Sequence, residues 1–262
     1  MLELGLQGKV AIVTGGAMGI GRACIEGFVK EGVNSVIADL QIEKAEEIAN
    51  KLNSDKARVI AIRTDVSKQA DVAECASRAM KEFGEIDILV NNAGVGSQNI
   101  DFINLPEEQW DLLNRVNAKG VFLMTKAVLP HMITVKYGKI INFSSLYGKE
   151  AFPLAVDYCA SKFAVIAITQ SVAKEHAQYN INVNAVCPGI VRTDIWDNVL
   201  SILSKRTGEH PDEIWRKTVE SIPLKRPQTV EDVANVVLFL SSDISKNITG
   251  ESISINGGMK MD

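Results

Sequence analysis

Cysteine and histidine are scarce in this chain, with four of the first and three of the second in 262 residues. Cys24, Cys75, Cys159 and Cys187 show no CxxC spacing, and His131, His176 and His210 are scattered. That pattern argues against a zinc cluster and against a disulfide framework. No metal is expected, and the thiols read as reduced, as in a cytoplasmic protein. An excess of positive charge is missing too. The 28 Lys+Arg stand against 32 Asp+Glu, a net charge of −4, and no basic run gives a footprint for nucleic acid. No apolar stretch approaches the ~20 residues that span a bilayer, so no membrane partner is expected. The segment Met1–Gly8 has no basic region ahead of its apolar residues, which argues against a secretory leader. Low-complexity linkers and internal repeats are also lacking.

What is present is an ordinary globular composition, 46% hydrophobic and 23% charged. A chain of this length can bury a large core without staples. Short Val/Ile-rich runs recur at Val10–Thr14, Ser35–Ala38, Val59–Arg63, Ile86–Val90, Lys139–Phe143, Asn182–Val186 and Ser252–Ile255. They show little polar alternation, as expected of strands buried on both faces. Helical patterns lie between them, at Gly19–Glu31, Glu43–Leu52, Gln69–Phe83, Glu107–His131, Val156–Gln178 and Val230–Leu240. Strands separated by helices predict a single-domain α/β fold over residues 1–262. We expect a Rossmann-like, doubly wound sheet of seven parallel strands with helices on both faces. The rhythm breaks once, over 190–226, which follows Pro188-Gly189 and carries Trp196 and Trp215. It reads as a small helical substrate lid beyond the carboxyl ends of the strands, or as a packing or subunit-contact element.

The first strand runs directly into Thr14-Gly-Gly-Ala-Met-Gly-Ile-Gly21 and then a helix. Glycine permits close backbone approach, and a helix N-terminus offers free N–H groups to a pyrophosphate. The spacing is GxxxGxG, so the usual GxGxxG dinucleotide fingerprint is not met as written. Asp39 ends the second strand. A carboxylate there can accept hydrogen bonds from both ribose hydroxyls of NAD and would repel the 2′-phosphate of NADP. Ala17, Met18, Leu40 and Gln41 offer no basic residue to welcome that phosphate. A plain helix N-cap is the competing role for Asp39.

Tyr158 and Lys162 stand four apart in a helical segment and share a face. A phenol titrates near 10 when unperturbed, and a nearby ammonium can lower it by ~1–3 units into the working range of a general acid/base. Ser145 and its neighbour Ser144 end the fifth strand, where a hydroxyl can hold a substrate oxygen or simply cap a turn.

In this combination the chain resembles the short-chain dehydrogenases/reductases of roughly 250 residues. The resemblance spans essentially the whole chain. It rests on Thr14–Gly21, Asp65-Val66, Asn91-Asn-Ala-Gly94, Asn117, Ser145 with Tyr158-Cys-Ala-Ser-Lys162, and Cys187-Pro-Gly-Ile-Val-Arg-Thr193. It implies that Gly15, Gly19, Ile20 and Gly21 wrap the pyrophosphate, that Asp39 selects NAD, and that Asp65 and Val66 meet the adenine. Asn92, Ala93 and Gly94 would line the cofactor cleft, and Pro188, Gly189, Ile190 and Thr193 would position the nicotinamide carboxamide. Tyr158 would be the catalytic acid/base and Ser145 would orient the substrate oxygen. Lys162 would bind the nicotinamide ribose and lower the Tyr158 pKa, and Asn117 would hold a proton-relay water. A homotetramer is implied, with the Glu107–His131 and Val156–Gln178 helices between subunits.

Pocket walls in the family come from the segments after Gly94, Ser145 and Gly189. Here these carry Gln98, Lys149, Glu150, Phe152, Asp194 and Trp196, a mixture suited to a small polyhydroxylated substrate or to a surface rim. The stretch Cys187–Trp196 is similar to acetoin reductase/butanediol and bacterial polyol dehydrogenases. The expected activity is NAD-dependent interconversion of a small secondary alcohol, diol or polyol with its ketone. A hydroxysteroid dehydrogenase and an NADP-dependent 3-oxoacyl-carrier-protein reductase are the alternatives. A non-enzymatic NAD-binding scaffold fits poorly with a complete Ser145/Tyr158/Lys162/Asn117 set.

Overall fold

A computed structural model describes residues 4–261. The expectation about a leader begins at Met1 and so falls partly outside the described residues, as do the side chains of Asp194, Ile195 and Asn198. Asp194 therefore drops out of the account of the pocket walls.

Seven strands form one parallel sheet: β1 (Val10–Thr14), β2 (Asn34–Asp39), β3 (Val59–Arg63), β4 (Ile88–Asn91), β5 (Gly138–Phe143), β6 (Ile181–Pro188) and β7 (Ser252–Ile255). Their spatial order is β3-β2-β1-β4-β5-β6-β7. The order reverses between β1 and β4, and a doubly wound sheet binds ligands in the crevice at that switch point. The period-2 alternation of a strand then sends neighbouring residues to opposite layers. Ala11 and Val13 pack with Phe28, Ile48 and Val237 on one face, from α1 (Gly19–Lys30), α2 (Ile42–Leu52) and α9 (Val230–Ser241). Ile12 packs with Cys75, Met124 and Ala173 on the other, from α3 (Gln69–Phe83), α5 (Gly120–Val135) and α6 (Val156–His176). Burying both faces is why the strands read as unbroken apolar runs.

Two elements differ from the sequence pattern. Ile86-Asp87 precede β4, although the Asp87 main chain already bonds both neighbours, its amide donating to the Val10 carbonyl at 3.0 Å and its carbonyl accepting from the Lys139 amide at 2.9 Å. The Asp87 carboxylate adds a brace to β1, accepting from Lys9 Nζ and from the Val10 amide, both at 2.9 Å. The expected helix 107–131 is present without a break, but it is not α-helical throughout. It runs as α4 (Glu107–Leu113), a π-helical segment (Asn114–Lys119) and then α5. Apolar periodicity does not register this widening of one turn, which is of a kind found often at functional sites.

The segment after β6 is helical, as expected, with α7 (Asp194–Thr207) and α8 (Pro211–Ser221). Its two ends are pinned together beside the sheet. The Gln228 amide donates to the Ile190 carbonyl at 2.9 Å, and Val191 and Gln228 form an isolated parallel bridge. Trp196 and Trp215 meet edge to face between the two helices, centroids 6.0 Å apart.

Candidate active site

A cleft of about 650 Å³ opens at the carboxyl ends of β1–β4. Gly15, Gly19, Asp39, Asp65, Val66 and Asn92 are on its wall. The glycine loop is held by neighbours that leave no room for side chains. Gly15 has φ +63°, and a Cβ there would lie 3.0 Å from Ala93 Cα. A Cβ on Gly21 would lie 2.2 Å from the Gly15 carbonyl oxygen and 2.5 Å from Asn92 Nδ2. Gly21 therefore shapes the loop from beneath. Asn92 Nδ2 donates to the carbonyls of Thr14 and Gly15, both at 2.9 Å. Thr14 Oγ1 accepts from the amides of Asn92 and Ala93, both at 3.0 Å. Among the described residues, the N-cap of α1, Met18, makes no side-chain capping hydrogen bond. The first-turn N–H groups and positive dipole end of α1 are left to face the cleft.

Asp39 closes the adenosine end. One carboxylate oxygen accepts from the Ala17 amide at 3.0 Å and the other from the Gln41 amide at 2.9 Å. Asp39 is not the helix N-cap, a position that Gln41 takes; its carboxylate holds the glycine loop and fronts the cleft. Met18, Leu40 and Gln41 stand beside it on the wall.

A smaller cavity of about 140 Å³ adjoins the cleft and shares Ile20, Asn92, Gly94, Val95 and Thr193 with it. Ser145, Tyr158, Lys162, Pro188, Gly189 and Trp196 are among the other residues on its wall. The two adjacent serines are distinguished by their partners. Ser144 Oγ donates to the Lys162 carbonyl at 2.9 Å, and Gly148 leaves it space. Ser145 caps the short 3-10 turn Leu146–Gly148, accepting from the Tyr147 amide at 3.2 Å, and its hydroxyl acts on the Tyr158 phenol by favouring the deprotonated form.

Burial pushes the Tyr158 phenol up to about 12, against the opposing pull of the Ser145 hydroxyl. Burial likewise pushes the Lys162 ammonium down to about 8. Lys162 Nζ donates to the Phe143 carbonyl at 2.8 Å and lies 5.5 Å from the Tyr158 ring centre. Lys162 is expected to lower the Tyr158 pKa; in this structure the largest influence on the phenol is desolvation, which raises it.

Asn117 sits in the π-helical segment with its amide fully engaged. Oδ1 accepts from the Val95 amide at 2.8 Å, and Nδ2 donates to the Val95 carbonyl at 3.0 Å and to Ser161 Oγ at 3.1 Å. It clips the loop after β4 to the helix carrying Tyr158. Gly94 fits between the two, since a Cβ there would be 3.2 Å from Asn117 Oδ1 and 3.6 Å from Lys162 Nζ.

Several expected wall residues turn elsewhere. Gln98 donates to Gln109 at 3.1 Å, Lys149 donates to Ser254 at 2.9 Å, and Glu150 faces Lys260. Phe152 stacks on Tyr147 at 4.4 Å, and Tyr147 in turn packs edge to face on Tyr158 at 5.6 Å. Ile190 is buried behind the wall. Gln98, Phe152 and Ile190 are thus off the wall of the small cavity, whereas Trp196 is on it. Two residues escaped the sequence reading. Tyr147 buttresses Tyr158. The buried Asp157 accepts at one oxygen from Ser97 Oγ and from the Tyr158 amide, both at 2.8 Å. Nothing in a one-dimensional pattern links Ser97 to Asp157.

The family model for short chain dehydrogenase matches residues 9–202. The chain belongs to the short-chain dehydrogenase/reductase family. This short-chain dehydrogenase is 36% identical over 254 residues to the 3-oxoacyl-[acyl-carrier-protein] reductase FabG of Thermotoga maritima, covering 97% of this chain and 98% of that protein. It is 38% identical over 254 residues to the oxidoreductase UcpA of Salmonella typhimurium, with 97% and 95% covered. Among solved structures it is similar to levodione reductase, with TM-score 0.91, 29% identity, and 96% and 97% of the two chains covered. The short-chain dehydrogenase is thus an oxidoreductase acting on a CH–OH group with a nicotinamide cofactor. Among the described residues, no helix is long and apolar enough to cross a membrane.

Proposed function

We propose that the protein uses NAD to interconvert a small secondary alcohol, of the diol, polyol or acetoin type, with its ketone. The observation that carries this reading is the joining of two cavities at one seam. The dinucleotide-sized cleft ends against a cavity walled by Ser145, Tyr158 and Lys162. The fit to a dinucleotide rests on the glycine cradle, which side chains would fill, and on the start of α1, whose N-cap Met18 makes no side-chain capping hydrogen bond. Gly15, Gly19 and Ile20 hold the pyrophosphate, with Gly21 shaping the loop. Asp65 and Val66 meet the adenine, Asn92, Ala93 and Gly94 line the cleft, and Pro188, Gly189 and Thr193 hold the carboxamide end. Asp39 accepts from the ribose hydroxyls, and its charge with uncharged Met18, Leu40 and Gln41 disfavours a 2′-phosphate.

Hydride acceptance or donation is what the bound nicotinamide supplies. The chain's part is proton transfer and placement. Ser145 holds the substrate oxygen beside the phenol. Tyr158 donates its proton to that oxygen in reduction and takes it back in oxidation. Phenolate formation is opposed by burial, so the positive charges at the site, Lys162 among them, have to offset desolvation. Lys162 also holds the nicotinamide ribose. Because the Asn117 amide is committed to Val95 and Ser161, a relay water at this residue would hang on its main chain.

The 36% identity to a protein named 3-oxoacyl-[acyl-carrier-protein] reductase favours the ketoreductase as the second reading, with NADP as its cofactor. The acid at Asp39 favours the first. We also propose a homotetramer working in the cytoplasm, with segment 190–226 as the substrate lid. Trp110, Phe122 and Phe163 leave apolar surface exposed on α4, α5 and α6, and all four cysteines are buried, with no disulfide among the described residues. The test of the chemistry is Tyr158→Phe. It should lower kcat/KM by about 10²–10⁴-fold or more and leave calorimetric NADH affinity within error. Surviving turnover would remove Tyr158 from the mechanism.

A further inference from the structure

The motif reading leaves Arg192 without a role, yet it occupies a conspicuous position. It stands on the cleft wall next to Thr193. The Thr193 methyl lies 3.6 Å from where a Gly19 Cβ would stand, which places this stretch against the glycine loop. The other arginine on that wall, Arg115, comes from the π-helical segment beside Val116, which packs with the Val66 cluster at the opposite end. Arg192 also reaches into the lid. Its Nε donates to Asp197 Oδ1 on α7 at 3.3 Å, and its guanidinium lies 4.9 Å from the Trp215 ring centre on α8. Trp215 touches Trp196, which walls the reaction cavity.

We propose that Arg192 is a cofactor-reading residue: it pairs with the diphosphate at the glycine loop and thereby couples cofactor occupancy to the position of the lid. The inference rests on the dinucleotide reading of the cleft. Its present partners leave it free to respond. Arg192 and Asp197 are 48% and 58% exposed, and such surface pairs contribute about 0–1 kcal/mol. A diphosphate is a stronger partner, because a guanidinium fork matches two phosphate oxygens. The helix end contributes only a partial charge, so a full positive charge beside it adds to the attraction. Moving the guanidinium releases Trp215, on which it lies, and Trp215 meets Trp196 edge to face, which is the link from cofactor to substrate cavity.

The experiment compares wild type, Arg192→Gln and Arg192→Lys by calorimetry with NADH, ADP-ribose and adenosine, while tryptophan emission is followed with ADP-ribose, which lacks the nicotinamide. Arg192→Gln should bind NADH and ADP-ribose about tenfold more weakly and adenosine unchanged, with Arg192→Lys between. ADP-ribose should shift the emission of wild type but not of Arg192→Gln. Equal affinity for ADP-ribose in wild type and Arg192→Gln would overturn the proposal, as would equal losses for ADP-ribose and adenosine. A wild-type emission that ignores ADP-ribose would overturn the coupling to the lid. Wild type that binds neither NADH nor ADP-ribose would instead remove the dinucleotide reading on which the inference stands.

Discussion

At the scale of single residues, the site is held against its own solvation. Lys162 is 5% exposed, and burial lowers its pKa to about 8 from an ordinary 10.5. A shift of that size corresponds to a penalty of about 3 kcal/mol for keeping the ammonium charged in the fold. The unfolded chain binds the proton more tightly between these two values, so stability rises with pH across that window. Lys162→Met should therefore melt higher than wild type at pH 7 while losing activity. The gap should be full below about 8 and shrink towards 10.5. Melting curves at several pH values check this, and a variant that melts lower than wild type at pH 7 would contradict it. The same logic explains what the sequence could not reveal about Tyr158. The spacing of Tyr158 and Lys162 is visible in one dimension, but the competition between burial and neighbouring charge needs the packed site.

At the scale of elements, loops and helix ends carry the specificity of the site. The glycine loop works because Asn92 and Thr14 bind its main chain while Gly15 and Gly21 admit the approach. Gly21→Ala would place a methyl 2.2 Å from the Gly15 carbonyl oxygen, so the loop must shift. The expected outcome is at least about tenfold weaker NADH binding together with a lower Tm, because one tenfold step needs only 1.4 kcal/mol. Calorimetry and thermal melts report both, and unchanged values would contradict this account of the loop. Strands, helices and the switch point were legible because apolar period and glycine placement are local signals. The π-helical turn at Asn117 was not, since no glycine, proline or cap residue marks it in Asn114–Lys119. The walls after Ser145 depart from expectation for a related reason. Lys149, Glu150 and Phe152 follow a tight 3-10 turn that points them at Ser254, Lys260 and Tyr147. Sequence adjacency to Ser145 carries no information about that direction.

At the scale of the whole molecule, the doubly wound sheet brings β1–β4 to one end of the cleft and β5–β6 to the other. Segment 190–226, proposed above as the lid, is clasped at its ends by the Gln228 amide on the Ile190 carbonyl. Apolar surface left on α4, α5 and α6 should be covered by other copies of the chain. Light scattering should give a mass near four times 28.5 kDa, and a single-chain mass would contradict the tetramer. The most direct test of the central claim is the initial rate of cofactor reduction over a panel of secondary alcohols. The panel comprises butanediol stereoisomers, sorbitol-type polyols and hydroxysteroids, with NAD and NADP in parallel and Tyr158→Phe as the blank. The account predicts turnover with NAD on a small diol or polyol and none in the blank. Turnover that depends on NADP, is confined to the steroids, or persists in Tyr158→Phe would contradict it.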